Sequence, residues 1–351
     1  MREKRKALKI FSVFVFLSVF TFPVLAQTSG DIPIEVKKLT DRIMLIKTGE
    51  TSVLTNVLAI STERGIVVFD ATWLPGLARR MKTTIEKEFG REDFAYLVLT
   101  HAGFDHTSGN QAFTEATIIG HDIVPARMQA NIGRIREPET FFGRAFQNAK
   151  KALQDVVKGS QEEKERTEFV DSYTILINET SSQDFVITPP DITFSDRMNL
   201  HFADLTLRMV HNIESYSDND IITYIPELKL LNVGDIFNND RLPWISPRSD
   251  IPRWLEIFEE FTDKEKEIDY VIGGHGGLMT MAEIKDFLDY AGDLWDALKT
   301  AKKQGLTLQD VEEKFSFENF NHVTHINPVM PGWGIDMHRM NVRNIWRMLE
   351  N

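Results

Sequence analysis

The chain has 351 residues and a formal net charge of −12, with 52 acidic residues against 40 basic ones. An acidic surface argues against a nucleic-acid partner, because a polyanion is repelled by it. The absence of cysteine excludes disulfides and removes thiolate from the candidate nucleophiles and metal ligands.

Taken in chain order, the first element is a leader. Arg2, Lys4, Arg5, Lys6 and Lys9 make a basic start, an apolar run follows from Ile10 to Leu25, and Val24-Leu25-Ala26 precedes Gln27. That order is the pattern of a secretory signal peptide over 1–26. The expectation is an exported protein, periplasmic or secreted, with one domain over 27–351. An uncleaved anchor would want a longer run. Loss of the leader takes away five basic residues and one acid, so the charge goes from −12 to −16. No second long apolar run follows, so no stable membrane span is expected after cleavage.

Ile34 to Leu39, Arg42 to Ile46, Val53 to Ile60 and Gly65 to Phe69 read as strands, the last ending in Asp70. Pro75 suits the first turn of a helix that runs to Phe89, where Gly90 stops it. Phe94 to Leu99 is an apolar strand with Thr100-His101 at its carboxyl end. From about 125 to 166 the chain reads as a helical insert, dense in charge, with Ile132, Phe141, Phe142, Phe146, Leu153 and Val156 on an intermittent apolar face. Asn178 to Gln183 reads as a loop, and Pro189-Pro190 marks the return to strands. These are Ile192 to Phe194, Leu200 to Phe202, Leu205 to Val210, Ile221 to Ile225 and Leu228 to Val233, the last reaching Gly234-Asp235. Tyr270 to Ile272 ends at Gly273-Gly274-His275-Gly276-Gly277. A helical C-terminal extension covers about 281–351. It holds an apolar stripe from Ile284 to Leu298, a capping box at Thr307 and Asp310, and a last helix from His338 to Leu349. The order implies a layered fold of mixed sheets and helices.

Three strand ends carry the residues with chemistry. They are Thr100-His101-Ala102-Gly103-Phe104-Asp105-His106, Asp235 and His275. Imidazole and carboxylate at neighbouring strand ends offer borderline nitrogen and hard oxygen to a divalent metal ion on a rigid frame. Each piece alone is a weak signal, and a lone histidine is more often an ordinary hydrogen-bonded one. Together, in this order, they are specific.

At these residues the chain resembles the metallo-β-lactamase superfamily, from about Ile43 to Gly277. Its members carry an HxHxDH loop after a strand, a distant third His, a bridging Asp and a last His in a GHG turn. The resemblance implies an α/β fold, an αββα sandwich, with the helical insert and C-terminal extension added. It implies metal ligation by Asp105, His106, Asp235 and His275, with Asp70 supporting the metal loop. The chain departs from the pattern twice. Gly103 stands at the second His of the loop. Counting back from Pro226 puts Tyr216 at the distant third His, and His211 falls five residues too early. Of the first site's imidazoles only His101 remains, so one divalent ion is expected, zinc first, with iron or manganese as alternatives.

The leading expectation is therefore hydrolysis of a small ester, amide or related bond on a small-molecule substrate. Asp105 and a His101 freed from ligation are its candidate catalytic residues, with His101 as general base. Tyr216 supports the site: a phenol there can bind an ion weakly, donate to an oxyanion or fill the space of the lost His, and filling that space is the leading expectation. The alternative is a non-catalytic relative that binds a ligand or partner in the same cleft. His121, His201, His211, His322 and His325 read as ordinary histidines, and Trp333 either lines the pocket mouth or plugs the helical layer. The sequence leaves the substrate and the oligomeric state open.

Overall fold

The computed structural model describes residues 28–48, 55–135, 137–211, 214–323, 325–330 and 332–350. The expected leader over 1–26 lies outside them, as does the start of the strand expected at Val53. Strands β1 (Ile34–Lys38), β2 (Ile43–Thr48), β3 (Val57–Thr62) and β4 (Gly65–Phe69) form an antiparallel meander. Helix α1 (Pro75–Phe89) crosses to β5 (Phe94–Val98), which pairs parallel with β4. The short α2 (Phe104–Thr107) precedes β6 (Thr117–His121). Then come α3 (Val124–Ile135), α4 (Phe141–Ala152) and α5 (Gln161–Thr180), and β7 (Ile192–Phe194) closes the first sheet beside β6.

The second sheet opens with β8 (Arg197–Phe202), β9 (Leu205–His211), β10 (Ile221–Ile225) and β11 (Leu230–Gly234). Helix α6 (Ile251–Thr262) leads to β12 (Tyr270–Gly273), parallel to β11, and β13 (Leu278–Met279). Helices α7 (Met281–Lys303) and α8 (Leu308–Lys314), the small pair β14 (Val329–Met330) and β15 (Ile335–Asp336), and α9 (Met337–Met348) complete the chain. The sheets run β1-β2-β3-β4-β5-β6-β7 and β13-β12-β11-β10-β9-β8.

The layering follows from strand alternation. On β2, Ile43 and Leu45 join Leu58, Val67 and Phe69 in a core shared with Leu207, Ile221 and Ile225 of the second sheet. Met44 and Ile46 point the other way, to Leu77, Met81 and Ile85 of α1. Leu231 and Val233 of β11 face a third core built with Trp254, Phe258, Phe287 and Leu294 of α6 and α7. Period-two alternation in strands that are buried on both faces requires helices outside two sheets, the expected αββα order. Each fully buried Leu, Ile or Phe contributes about 1.5–3 kcal/mol, and these cores contain dozens of such side chains.

The helical insert needs correction. It runs on to Thr180, past the expected end near 166 and into the stretch expected to be a loop at Asn178. Ser160 caps α5 by accepting from the Glu163 amide at 3.1 Å, and Phe169, Tyr173 and Leu176 give the helix a buried face. That tertiary packing overrides the polar composition at its end. Strand β6 and helix α6 stand outside the expected elements. β6 is a short strand buried between two parallel neighbours, and α6 begins at the Asp250 cap, whose side chain accepts from the Arg253 amide. Among the described residues no helix is long and apolar enough to cross a membrane.

Candidate metal centre

The site lies at the carboxyl ends of β4, β5, β11 and β12. Beyond β4, Asp70 and Thr72 adopt left-handed backbone, with φ of 59° and 58°. That conformation is costly for residues with a Cβ and persists only where surroundings enforce it. Here the Asp70 carboxylate enforces it. It accepts from the Thr100 amide and the Thr100 hydroxyl, each at 2.8 Å, and faces His106 Nδ1 at 2.8 Å. The Asp70 amide donates to Val98 O at 3.0 Å and the Ala71 amide to His106 O at 2.7 Å. One carboxylate thus ties β4 to the end of β5 and turns the other His106 nitrogen, Nε2, into the site.

Two further candidate ligands come from the second sheet. Asp235 follows β11, and His275 follows β12 on a glycine loop. Asn56 donates to Gly273 O and Gly276 O at 3.2 Å, and Asn238 accepts from the His275 amide at 2.7 Å. Gly274 has no room for a side chain: a Cβ there would fall 2.1 Å from Asp235 Oδ1 and 2.7 Å from His106 Cε1.

Ligand atoms of Asp105, His106, Asp235 and His275 all lie within 4.8 Å of one another. His106 Nε2 is 3.4 Å from Asp105 Oδ2 and 3.3 Å from Asp235 Oδ1. His275 Nε2 is 3.2 Å from Asp105 Oδ2 and 3.5 Å from Asp235 Oδ2. His106 Nε2 and Asp235 Oδ1 are buried and make no hydrogen bond. Orphaned buried polar atoms are costly. A cation between them would satisfy both, and two imidazole nitrogens with two carboxylates suit a divalent metal ion. Electrostatics agree. Burial opposes the charge of both imidazoles, yet Asp235 with its neighbouring carboxylates outweighs it and raises the proton affinity of His106 and His275. Burial likewise opposes the carboxylate charges, and the imidazoles hold Asp105 and Asp235 below the usual carboxylate range. The pocket demands positive charge, which protons or a metal ion can supply.

His101 stands outside the quartet. Its ring lies 4.2 Å from that of His106 and 5.3 Å, edge-on, from that of Tyr216. The Thr100 hydroxyl gives its proton to Asp70, so it can only accept from His101 Nδ1, 3.1 Å away. A neutral His101 therefore has its lone pair on Nε2. The side chain occupies space that the loop leaves free: a Cβ on Gly103 would fall 2.5 Å from His101 Nε2. Tyr216 lines the same cavity, and burial, Asp235 and Asp105 all push its phenol well above the usual range, so it remains a donor. His211 is elsewhere, 3.9 Å ring to ring from His121 and bonded through Nδ1 to Asp220 O at 2.9 Å. His201 pairs with Thr206, and His322 with Asp293.

Sequence reasoning missed the wall of the site and one cation. A cavity of about 570 Å³ opens over the quartet, and Trp73, Phe104, Phe141, Phe142, Trp244 and Trp333 line it. The aromatic run in the insert and the glycine-flanked Trp333 were the only signals for it. Trp333 does both jobs considered for it: it lines the cavity and packs on Phe169 at 4.5 Å. Arg241, which no motif marks, is buried among the lining residues and donates twice to Asp240 at 2.9 Å.

A family model described as the metallo-beta-lactamase superfamily matches residues 51–297. Among solved structures, the chain is similar to the stereoselective inverting sec-alkylsulfatase Pisa1 from Pseudomonas sp., with a TM-score of 0.67 and 15% identity over 90% of this chain and 50% of that one. It is also similar to DIM-1 metallo-beta-lactamase, with a TM-score of 0.50 and 13% identity over 74% of this chain and 97% of that one. The chain spans about half the length of the alkylsulfatase it matches. At these identities the likeness is one of fold. No curated protein matches.

Proposed function

The chain belongs to the metallo-beta-lactamase superfamily, and from that premise we propose that it is an exported hydrolase using one divalent metal ion held by Asp105, His106, Asp235 and His275. The observation that carries this reading is the convergence of four potential ligand atoms within 4.8 Å, two of them buried without a hydrogen bond. Zinc is the first choice, and an ion bound there supplies Lewis acidity and lowers the pKa of a water.

The chain's own residues do the rest. His101 Nε2 accepts a proton from the attacking water, with Nδ1 fixed by the Thr100 hydroxyl and Asp70 behind it. The Tyr216 hydroxyl donates to an oxygen that gains charge. The aromatic wall excludes water and favours a substrate that carries an apolar group beside its ester, amide or related polar bond. Both the sulfatase and the lactamase it resembles in fold are named for hydrolysis of a polar bond, which accords with this class.

Elemental analysis of dialysed protein and a panel of chromogenic esters, lactams and sulfate esters test it together. The expected result is about one zinc per chain and turnover of at least one substrate, with both lost in His275→Ala. A second reading, ligand binding without catalysis, is favoured by Gly103 and Tyr216 at two imidazole positions. Protein that holds no metal and turns over no substrate would establish it instead.

A further inference from the structure

We propose that Asn219 and Asn131 are positioning residues for His101: they hold the amide and the carbonyl of Ala102, and with them the direction in which His101 Nε2 points. The inference rests on the reading of His101 as general base. His101 sits between two residues whose main chain is tied at every polar group. The Thr100 amide donates to Asp70 at 2.8 Å, and Thr100 O accepts from the Ile221 amide at 2.8 Å. The Ala102 amide donates to Asn219 Oδ1 at 2.6 Å, and Ala102 O accepts from Asn131 Nδ2 at 2.7 Å. Asp70 and the start of β10 supply the first two bonds. The last two come from asparagines that no motif marks.

Each asparagine is held in turn. Val124, Met128 and Ile135 bury one face of α3, and Arg127 and Asn131, one turn apart, share another. Asn131 reaches Ala102, and the Arg127 guanidinium pairs with the Asp218 carboxylate. Asp218 Oδ1 accepts from Asn219 Nδ2 at 2.9 Å, which settles that the oxygen end of the Asn219 amide faces Ala102. The segment that carries Asn219 is gathered by Asp220, whose carboxylate accepts from the Ser215 hydroxyl at 2.9 Å, the Ser217 amide at 2.6 Å and the Ser217 hydroxyl at 2.7 Å. The insert and the segment before β10 thus grip one peptide of the loop from two sides.

A Cβ on Gly103 would fall 2.5 Å from His101 Nε2, so the imidazole lies folded along the loop, and a turn of the Ala102 peptide carries the ring with it. The Thr100 hydroxyl, 3.1 Å from Nδ1, sets which nitrogen is free, and the grip on Ala102 sets where that nitrogen points. A general base acts only within hydrogen-bond reach of the proton it takes. Misplacement by about 1 Å costs on the order of a hundredfold in rate. The candidate metal ligands are tied elsewhere. Asp70 holds His106, Asn238 holds the His275 amide, and the Thr55 hydroxyl donates to Asp105 O at 2.6 Å. The asparagines therefore act on His101 and leave the ion in place.

A double-mutant cycle tests this. Zinc content, kcat and KM on a chromogenic substrate are measured for the wild type, Asn219→Ala, Asn131→Ala, His101→Ala and each asparagine variant combined with His101→Ala, all checked for fold by circular dichroism. The expected result is a kcat lower by on the order of tenfold to a hundredfold in each asparagine variant, with KM within about twofold. Zinc stays at about one per chain. In the His101→Ala background the same substitutions change kcat by about twofold or less, because a residue that acts through His101 has nothing left to act on. A merely structural role would cost as much in that background as in the wild type, and that result overturns the proposal. Loss of zinc in both asparagine variants overturns it too. Exchanging the pair, Asp218→Asn with Asn219→Asp, returns an acceptor to the Ala102 amide and a donor between the two side chains. It is expected to recover most of the lost kcat, and an exchange variant as slow as Asn219→Ala overturns the proposal. If Asn219→Ala does not fold, Asn131→Ala, on a part-exposed helix face, decides by the same comparison. A wild type without turnover, or His101→Ala as fast as the wild type, overturns the reading of His101 as base and this inference with it. An active wild type, an impaired His101→Ala and full additivity overturn this inference alone.

Discussion

His101 is the residue at which hydrolysis and mere binding part. Its Nδ1 is committed to Thr100, its Nε2 lies beside Gly103, and it is not among the converging ligands. We expect His101→Ala to keep its zinc and lose about a hundredfold or more in turnover, the usual worth of a general base. Zinc content and kcat/KM on the same preparation check this. Loss of zinc in His101→Ala would make it a ligand and send the search for a base to Asp105. The candidate ligand residues were legible because Asp105-His106 and the glycine-set His275 are short-range patterns. Asp70 was legible as support, although its two partners, Thr100 and His106, lie 30 and 36 residues downstream. Arg241 was not legible: a lone arginine in a polar stretch looks like any surface charge until the fold buries it.

At the scale of elements, the C-terminal helices carry a pH dependence. The Tyr290 hydroxyl on α7 donates to His338 Nδ1 on α9 at 2.9 Å, and His338 Nε2 donates to Phe315 O at 2.9 Å. The first bond needs a neutral ring, because Nδ1 must accept; the second favours the charged ring but is outweighed by burial. Burial accordingly lowers the His338 pKa below its ordinary value. The unfolded chain therefore binds this proton first. Stability from this group is fully present above the unfolded pKa of about 6.5 and declines as pH falls from there through the lower folded value. Urea midpoints at pH 7.5 and 5.0 for the wild type and His338→Phe test it. The variant should be less stable at pH 7.5, by about 1–3 kcal/mol for each group left unpaired, and should lose less than the wild type on acidification. Equal losses would show that His338 does not titrate with unfolding. The capping box at Thr307 and Asp310 was readable in advance, and the structure adds another at Thr280 and Glu283. A cap is a contact between residues three apart, whereas the Tyr290–His338 bond spans 48 residues.

At the scale of the whole molecule, the basic start and apolar run over 1–26 carry the proposal of export. We expect mass spectrometry of protein from its native cell to find a chain beginning near Gln27. An intact Met1 on cytoplasmic protein would refute export. With the leader removed the net charge would be −16, which argues against a nucleic-acid partner.

The sequence by itself determined most of the strands, the layered class and the four residues that converge as a candidate metal group, because period-two apolar runs and local loop patterns are recorded between near neighbours. It missed β6, α6 and the last turns of α5, whose formation depends on what they pack against. Only the tertiary structure decided that Phe141 and Phe142 of the insert and Trp333 of the extension meet over Asp105 and His275 as one cavity wall. It alone turned Arg241 inward and left His106 Nε2 and Asp235 Oδ1 facing each other without a hydrogen bond. Those facts depend on contacts between segments up to two hundred residues apart, set by which faces the sheets bury. No local pattern encodes such distances.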